Sequence, residues 1–313
     1  MSRVLVFHPS QSDCYGALLR QAPAASALEV VTASDTDGVL AALPATEILV
    51  AANTFPTDTL ADARALRWIH VQGAGVDRWM EAPLAPSVRI TRTVGSFGPR
   101  MAEYAMAHVL AVHQAVHAYR LEQQQRRWRA HDTVTLAGKR LGIAGIGAIG
   151  SALAERARAF GMDVVGLARN ARTTGPYRVF GQDHLTAFLA DLDVVVNILP
   201  LTRDTQRMFN AAAFEQMPSH AWFVNMGRGG TVDEPALIEA LHHGTIAGAI
   251  LDVFEEEPLA ATSPLWSQPN VIITPHIAGT SIPEEVVNAF FDNLPRFEAG
   301  HPMLDEVERR RAY

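Results

Sequence analysis

The chain has 313 residues, enough for two domains and a large core. Its 48% hydrophobic and 19% charged content is that of an ordinary soluble globular protein, and a net charge of -7 argues against a nucleic-acid or membrane-surface partner. The single cysteine, Cys14, has no partner for an internal disulfide, which fits a reducing, cytoplasmic setting, and no apolar run approaches the roughly 20 residues of a membrane helix.

The opening MSRVLVFHPS reads as a short first strand, its apolar stretch being too brief for a signal peptide. Val4 to Phe7, Glu29 to Val31, Glu47 to Val50 and Arg67 to Val71 are strand candidates, separated by Ala- and Leu-rich segments of helical character. This rhythm predicts an α/β fold with a parallel sheet. A long helix is expected from about Pro99 to Arg127, with Met101, Tyr104, Ala105, His108, Val109 and Val112 on its apolar stripe. Arg126, Arg127 and Arg129 would suit the negative end of its dipole. The basic residues are almost all arginine, Lys139 being the one lysine, a bias of composition rather than of function.

From Lys139 the rhythm strengthens. RLGIA, DVVGLA, DVVVNIL, AWFVNM, IAGAILDV and VIITP make six strand candidates with helical segments between them, the pattern of a doubly wound dinucleotide domain. A last helix spans about Pro283 to Ala299. No low-complexity linker marks a boundary, so the chain is expected to cross between domains inside secondary structure.

Gly145, Gly147 and Gly150 form G-x-G-x-x-G, weak evidence alone. Here the motif follows a strand and opens the helix-like run that begins Ala148-Ile149. Gly145 permits a tight turn, Gly147 lets the backbone approach a pyrophosphate, and Gly150 lets helix and strand pack closely. The helix N-terminus offers N–H groups to the phosphates. A site for NAD usually carries Asp or Glu at the end of the second strand, to grip the ribose hydroxyls. Here that position is Ala168, followed by Arg169, Asn170 and Arg172. Guanidinium groups bind phosphate bidentately, which suits the 2′-phosphate of NADP(H), with NAD(H) still possible. The missing acid is the firmer half of that argument.

Three polar residues follow three successive strands, where ligands bind in open α/β sheets: Arg228 in NMGRGG, Glu257 in LDVFEEEP and His276 in VIITPHIAG. With GIAGIGAIG, NILPLT and TPHIAG in the same order and spacing, the chain resembles the D-2-hydroxyacid dehydrogenases, most clearly over its C-terminal two-thirds. The N-terminal part matches through VQGAGVD, Val71 to Asp77. Within the family it is most similar to the glyoxylate/hydroxypyruvate reductase A group, through VFHP, ARNAR and the ending VERRRAY.

The resemblance implies two Rossmann-like domains with parallel sheets. A cofactor domain, 99–285, would be inserted in a discontinuous substrate domain, 1–98 and 286–313, and closure over the cofactor would exclude water. It implies that His276 is the general acid, that Glu257 hydrogen-bonds the imidazole, orients it and keeps more of it protonated, and that Arg228 polarises the carbonyl and binds the substrate carboxylate. Glu255 and Glu256 compete with Glu257 on sequence alone; the family's acid directly precedes proline. The backbone at Ala74 and Gly75 would hold the carboxylate. Met101, Leu199, Pro200, Thr202, Asn225, Met226, Asp252, His276 and Gly279 would line the cofactor groove, Asp252 near the nicotinamide carboxamide. No metal is called for. The implied activity is NADPH-dependent reduction of small 2-oxo acids, glyoxylate and hydroxypyruvate first, by a homodimer built around the long helix. Trp128 and Trp266 are candidates for shaping the substrate pocket, across a dimer interface in some related reductases, with core or interface packing the favoured role and substrate contact left open. The rivals are a dehydrogenase for a bulkier 2-oxo acid and, in another class, a dinucleotide-sensing corepressor-like scaffold; turnover of any 2-oxo acid would exclude the scaffold.

Overall fold

A computed structural model describes residues 1–94, 97–172 and 175–308, so the end of VERRRAY, 309–313, lies outside the described residues. The chain divides into two compact units, Met1–Phe97 with Thr280–Tyr313, and Gly98–Gly279. The crossing near 98 falls where helix rather than linker runs. The chain rejoins the first unit at Thr280, not at 286. There the Ser281 hydroxyl donates to the carbonyl of Gln72 (2.8 Å), and the C-terminal helix, Pro283–Glu298, packs on the first sheet from its first turn.

The first unit alternates strands and helices: β1 (Ser2–Phe7), α1 (Ser12–Gln21), β2 (Leu28–Ala33), α2 (Thr36–Ala42), β3 (Ile48–Ala51), β4 (Trp68–Val71), α3 (Asp77–Glu81) and β5 (Arg89–Arg92). The five strands are parallel in the order β2-β1-β3-β4-β5. Strand periodicity sends Val4 and Val6 to one face, with Trp68 and Phe290, and Leu5 and Phe7 to the other, with Phe55 and Trp79. Both faces are therefore covered, as a parallel sheet requires. Trp68 stacks flat on Phe290 of the C-terminal helix, with centroids 4.9 Å apart and planes 2° from parallel. β5 was not among the strand candidates: RITR is short and bracketed by arginines. Yet Ile90 and Thr91 are buried, and Arg89 escapes burial in a fork to Glu306 (2.6 and 2.7 Å).

The second unit opens with α4 (Phe97–His113) and α5 (Val116–Gln124), then runs β6 (Arg140–Ala144), α6 (Ala148–Ala159), β7 (Asp163–Ala168), β8 (Val179–Gly181), α7 (Leu185–Leu189), β9 (Val194–Asn197), α8 (Ala211–Glu215), β10 (Trp222–Asn225), α9 (Glu234–His242), β11 (Gly248–Leu251) and β12 (Val271–Ile273). The expected single long helix is thus two. Ala115 adopts the left-handed conformation (φ 53°), because the returning chain claims the helix end: Val134 N–H donates to the His113 carbonyl (2.9 Å) and Gln114 Nε2 to the Val134 carbonyl (3.0 Å). Arg127 at the end of this region bonds the Glu122 carboxylate (2.5 Å) instead of serving only a helix dipole. The sheet has seven parallel strands, not six, in the order β12-β11-β10-β9-β6-β7-β8. The extra one, β8, is three residues long and pairs only at the edge with β7. The strand order reverses at β6, which lies between β9 and β7, and the switch point brings the ends of β6 and β9 together. Among the described residues no helix is long and apolar enough to cross a membrane.

Candidate active site

The glycine run turns where β6 meets α6, and its geometry fits a dinucleotide phosphate cradle. Gly145 has φ 109°, and its N–H donates to the Leu167 carbonyl (2.9 Å). A Cβ on Gly150 would lie 2.1 Å from the carbonyl oxygen of Gly145, so only glycine lets the helix start this close to the turn. Around Gly147 a Cβ would meet nothing within 4 Å, which leaves open space at the helix start. Gly147 is also the N-cap and has no side chain to cap with. The first-turn N–H groups, at Ala148 and Ile149 among others, therefore lack intrahelical acceptors and suit phosphate oxygens.

β7 ends at Ala168, and Arg169, Asn170 and Arg172 follow on the exposed surface. Arg172 is built into the fold: its backbone bridges Val179 in both directions (3.1 and 3.2 Å), and its guanidinium donates to the Ile146 carbonyl in the glycine turn (2.9 Å). The arginine loop is thereby tied to the phosphate turn.

His276 and Glu257 meet as the sequence predicted. His276 Nδ1–H donates to Glu257 Oε2 at 2.8 Å, while Glu257 Oε1 accepts the Phe254 N–H (3.0 Å). Glu255 is held elsewhere, by Arg207 at 2.8 Å, which settles which acid partners the histidine. Burial pushes the Glu257 carboxyl up, but the hydrogen bonds from His276 and Phe254 and the charges of His276 and Arg228 outweigh it, so the group sits below the usual carboxylate range. His276 has φ 54°, a left-handed conformation uncommon in residues other than glycine.

Asp252 imposes that conformation. Its side chain is 1% exposed and accepts three hydrogen bonds from the histidine loop: Thr274 Oγ1 (2.6 Å), Ile277 N–H (2.8 Å) and Ala278 N–H (2.9 Å). Its carbonyl takes the His276 N–H (2.8 Å). The carboxylate expected near a nicotinamide thus also builds the histidine loop.

Arg228 is half-buried, one guanidinium nitrogen donating to the Gly227 carbonyl (2.7 Å). A buried amide network holds its loop. Asn197, at the end of β9, donates from Nδ2 to Asn225 Oδ1 (2.9 Å) and Thr231 Oγ1 (2.7 Å); the Thr231 hydroxyl and Asn225 Nδ2 donate in turn to the Arg228 carbonyl (2.6 and 3.3 Å). Asn225, expected in the cofactor groove, has its side chain occupied here. A Cβ on Gly229 would fall 1.8 Å from the Phe254 backbone, so glycine at this position lets the Arg228 loop close on the loop that carries Glu257. Asn197 and Thr231 were missed in the sequence; their only signal was a polar residue at the end of an apolar strand and one inside a glycine loop.

Of the other expected groove residues, Met101 is buried in α4, Leu199 and Met226 are buried just past β9 and β10, and Gly279 closes the unit. Pro200 and Thr202 lie in a turn organised by Thr205, whose hydroxyl donates to the Pro200 carbonyl (2.6 Å) and accepts the Thr202 N–H (2.8 Å). In the first unit, Ala74 and Gly75 follow the C-terminal end of β4, and the Ala74 carbonyl accepts from Arg92 (3.2 Å). Trp128 is fully exposed, and Trp266 is half-exposed with its indole N–H on the Ala260 carbonyl (3.0 Å).

Comparison with known proteins places the chain in a family. Residues 106–278 match the model of the D-isomer specific 2-hydroxyacid dehydrogenase NAD-binding domain. The glyoxylate/hydroxypyruvate reductase A of Escherichia fergusonii is 34% identical over 266 residues, covering 82% of this chain and 85% of that protein. A D-isomer specific 2-hydroxyacid dehydrogenase family protein from Aeromonas salmonicida superposes with a TM-score of 0.91 at 36% identity, over 99% of this chain and all of that one. An NADPH-dependent glyoxylate/hydroxypyruvate reductase from Sinorhizobium meliloti, solved with NADP and sulfate, superposes with a TM-score of 0.90 at 32% identity over the whole of both chains. The glycine cradle, the His276–Glu257 pair and Arg228 thus stand in a chain that belongs to the D-isomer specific 2-hydroxyacid dehydrogenases and is an oxidoreductase of that family.

Proposed function

We propose that the protein reduces small 2-oxo acids with NADPH, glyoxylate to glycolate and hydroxypyruvate to glycerate, the second unit holding the cofactor and the first contributing to substrate binding. The observation that carries this reading is the His276–Glu257 hydrogen bond at 2.8 Å, with Arg228 close enough to act on the same carboxylate. The Nδ1–H of His276 is committed to Glu257, so Nε2 is the atom left to give a proton. Bound NADPH supplies a hydride to the carbonyl carbon. His276 delivers its Nε2 proton to the carbonyl oxygen, giving the 2-hydroxy acid and a neutral imidazole, and Glu257 holds the ring in the tautomer and direction the transfer needs. Arg228 binds the substrate carboxylate and draws charge from the carbonyl.

NADPH is favoured over NADH on chemical grounds. Ala168 offers no acceptor to ribose hydroxyls, and Arg169 and Arg172 flank the place where a 2′-phosphate would sit. The relative from Sinorhizobium meliloti, NADPH-dependent and solved with NADP, supports that preference. The single cysteine supports a cytoplasmic location.

The homodimer reading rests on the segment from α5 to residue 134. Val116, Tyr119, Leu121, Trp128 and Val134 are all exposed there, a concentration of apolar surface suited to a second copy of the chain. Light scattering should give twice the chain mass, reduced to one by Leu121→Asp with Trp128→Ala; a monomeric wild type refutes the dimer. The activity is tested by following NADPH oxidation with glyoxylate, hydroxypyruvate and bulkier 2-oxo acids. Turnover is expected with the two small acids. Its absence with every 2-oxo acid sinks the reading, and faster turnover of bulkier acids redirects it.

A further inference from the structure

Tyr104 sits on the stripe of α4 that the sequence assigns to packing, yet its hydroxyl lies 2.6 Å from Thr274 Oγ1. The Thr274 hydroxyl donates to Asp252 Oδ1, also at 2.6 Å, so the Tyr104 O–H is the donor to Thr274. The three groups form a one-way chain from α4 through the start of the histidine loop to the buried carboxylate on which that loop is wound. Burial holds the Tyr104 hydroxyl well above its ordinary range, so it keeps its proton and remains a donor. The His108 ring, one turn along, packs on Tyr104 with centroids 4.5 Å apart and fixes the phenol.

We infer that Tyr104 is a positioning residue for His276, acting through Thr274 and Asp252. The chain Tyr104–Thr274–Asp252 fixes one oxygen of the carboxylate that also takes the Ile277 N–H, and through it the left-handed turn at His276. Without the Tyr104 donor, the Thr274 hydroxyl can rotate away from Asp252, and the carboxylate then holds the loop by two bonds rather than three. An unusual backbone conformation persists only where its surroundings over-determine it, so losing one restraint loosens the imidazole. The catalytic consequence rests on His276 being the proton donor; the structural one does not.

The test uses Tyr104→Phe, Thr274→Val and Thr274→Ser in the full chain, with two readouts. The first, hydrogen exchange of the amides of residues 276–278 without cofactor, is independent of turnover. Loss of a neutral hydrogen bond should speed it by about three- to tenfold in Tyr104→Phe, and Thr274→Val, which also loses the bond to the Asp252 carboxylate, should speed it by about tenfold or more. The second is steady-state kinetics with glyoxylate, in which kcat should fall by about the same factor while KM for NADPH stays unchanged. Thr274→Ser keeps the hydroxyl and should restore both. Wild-type exchange in Tyr104→Phe overturns the inference, and so does a serine variant as impaired as the valine one, since packing of the methyl group would then be responsible. If the wild-type protein turns over no 2-oxo acid, the catalytic reading fails by itself, and exchange in Tyr104→Phe still decides whether the tyrosine holds the loop.

Discussion

The two units use histidine in opposite ways. His70 lies inside the first sheet with no exposed surface, its Nδ1 at 2.8 Å from the Thr91 hydroxyl and its Nε2 at 3.3 Å from that of Thr93, beside Trp68 and Phe290. Burial lowers its pKa to about 4, the backbone of Val286 offsetting part of the effect, so it is a neutral core residue at working pH. His276 is half-exposed on a loop, in a backbone conformation that few residues adopt, against a carboxylate. The first environment favours stability. The second leaves half of the ring exposed, with Nδ1 committed to Glu257. What separates the core histidine from the proposed proton donor is thus the partner and the exposure, not the strand that precedes it.

The sharpest test of that division is His276→Ala, which should lower kcat by about a thousand-fold, within the range for loss of a general acid, while NADPH binding and melting temperature stay near wild type. Steady-state kinetics, cofactor titration by fluorescence and calorimetry check the three arms. A large loss of stability would show that His276 is also structural and break the comparison.

The counterpart concerns pH. A histidine at about 4 in the folded protein and near 6.5 in the unfolded chain makes unfolding take up a proton. Its contribution is fully present above pH 6.5, declines as pH falls through that value, and is gone below about 4. The loss is on the order of 3 kcal/mol. Urea unfolding at pH 7 and at pH 4.5 should therefore show a drop that His70→Gln, itself destabilised at pH 7, shows to a smaller degree. An equal drop in that variant would assign the pH sensitivity to other groups.

Much of this was legible in the sequence because it rests on local patterns. Apolar runs such as VVVN and GAIL marked buried parallel strands. Three glycines at fixed spacing marked a turn that steric contact at Gly145 and Gly150 now explains. Arg228, Glu257 and His276 stood out as candidates because each follows a strand. What was not legible depends on partners distant in sequence. The break at Ala115 has no glycine or proline to announce it and comes from Val134 binding His113. β5 and β8 are strands only because a neighbour pairs with them. The hydrogen bonds of Asp252 to Thr274 and of Asn197 to Asn225 were not foreseen either, because only the folded sheet brings those partners near.

Glu257→Gln tests whether the carboxylate's charge, rather than its hydrogen bond alone, distinguishes His276 from His70. Glutamine can still accept from Nδ1–H but offers no negative charge to an imidazolium. The expected loss in kcat is about ten- to a hundred-fold, with KM for NADPH unchanged. A variant as active as wild type would mean that orientation is sufficient, and would place His276 closer to His70, whose partners are neutral hydroxyls.

Arg169→Ala carries the smallest expected effect and extends the comparison from histidines to whole surfaces. Arg169 is exposed on the loop after β7, so its loss should leave melting unchanged, in contrast to any substitution at His70. Its proposed work is to meet a dianionic 2′-phosphate. A charged hydrogen bond at an exposed site falls at the low end of its range, about 1.5 kcal/mol, so KM for NADPH should rise by about tenfold while KM for NADH hardly moves. Arg172 is held through its backbone to Val179 and through its guanidinium to Ile146, so it is fixed in place when Arg169 is removed. Equal changes for the two cofactors would mean that Arg169 touches the part they share, and the preference for NADPH would then rest on Ala168 alone.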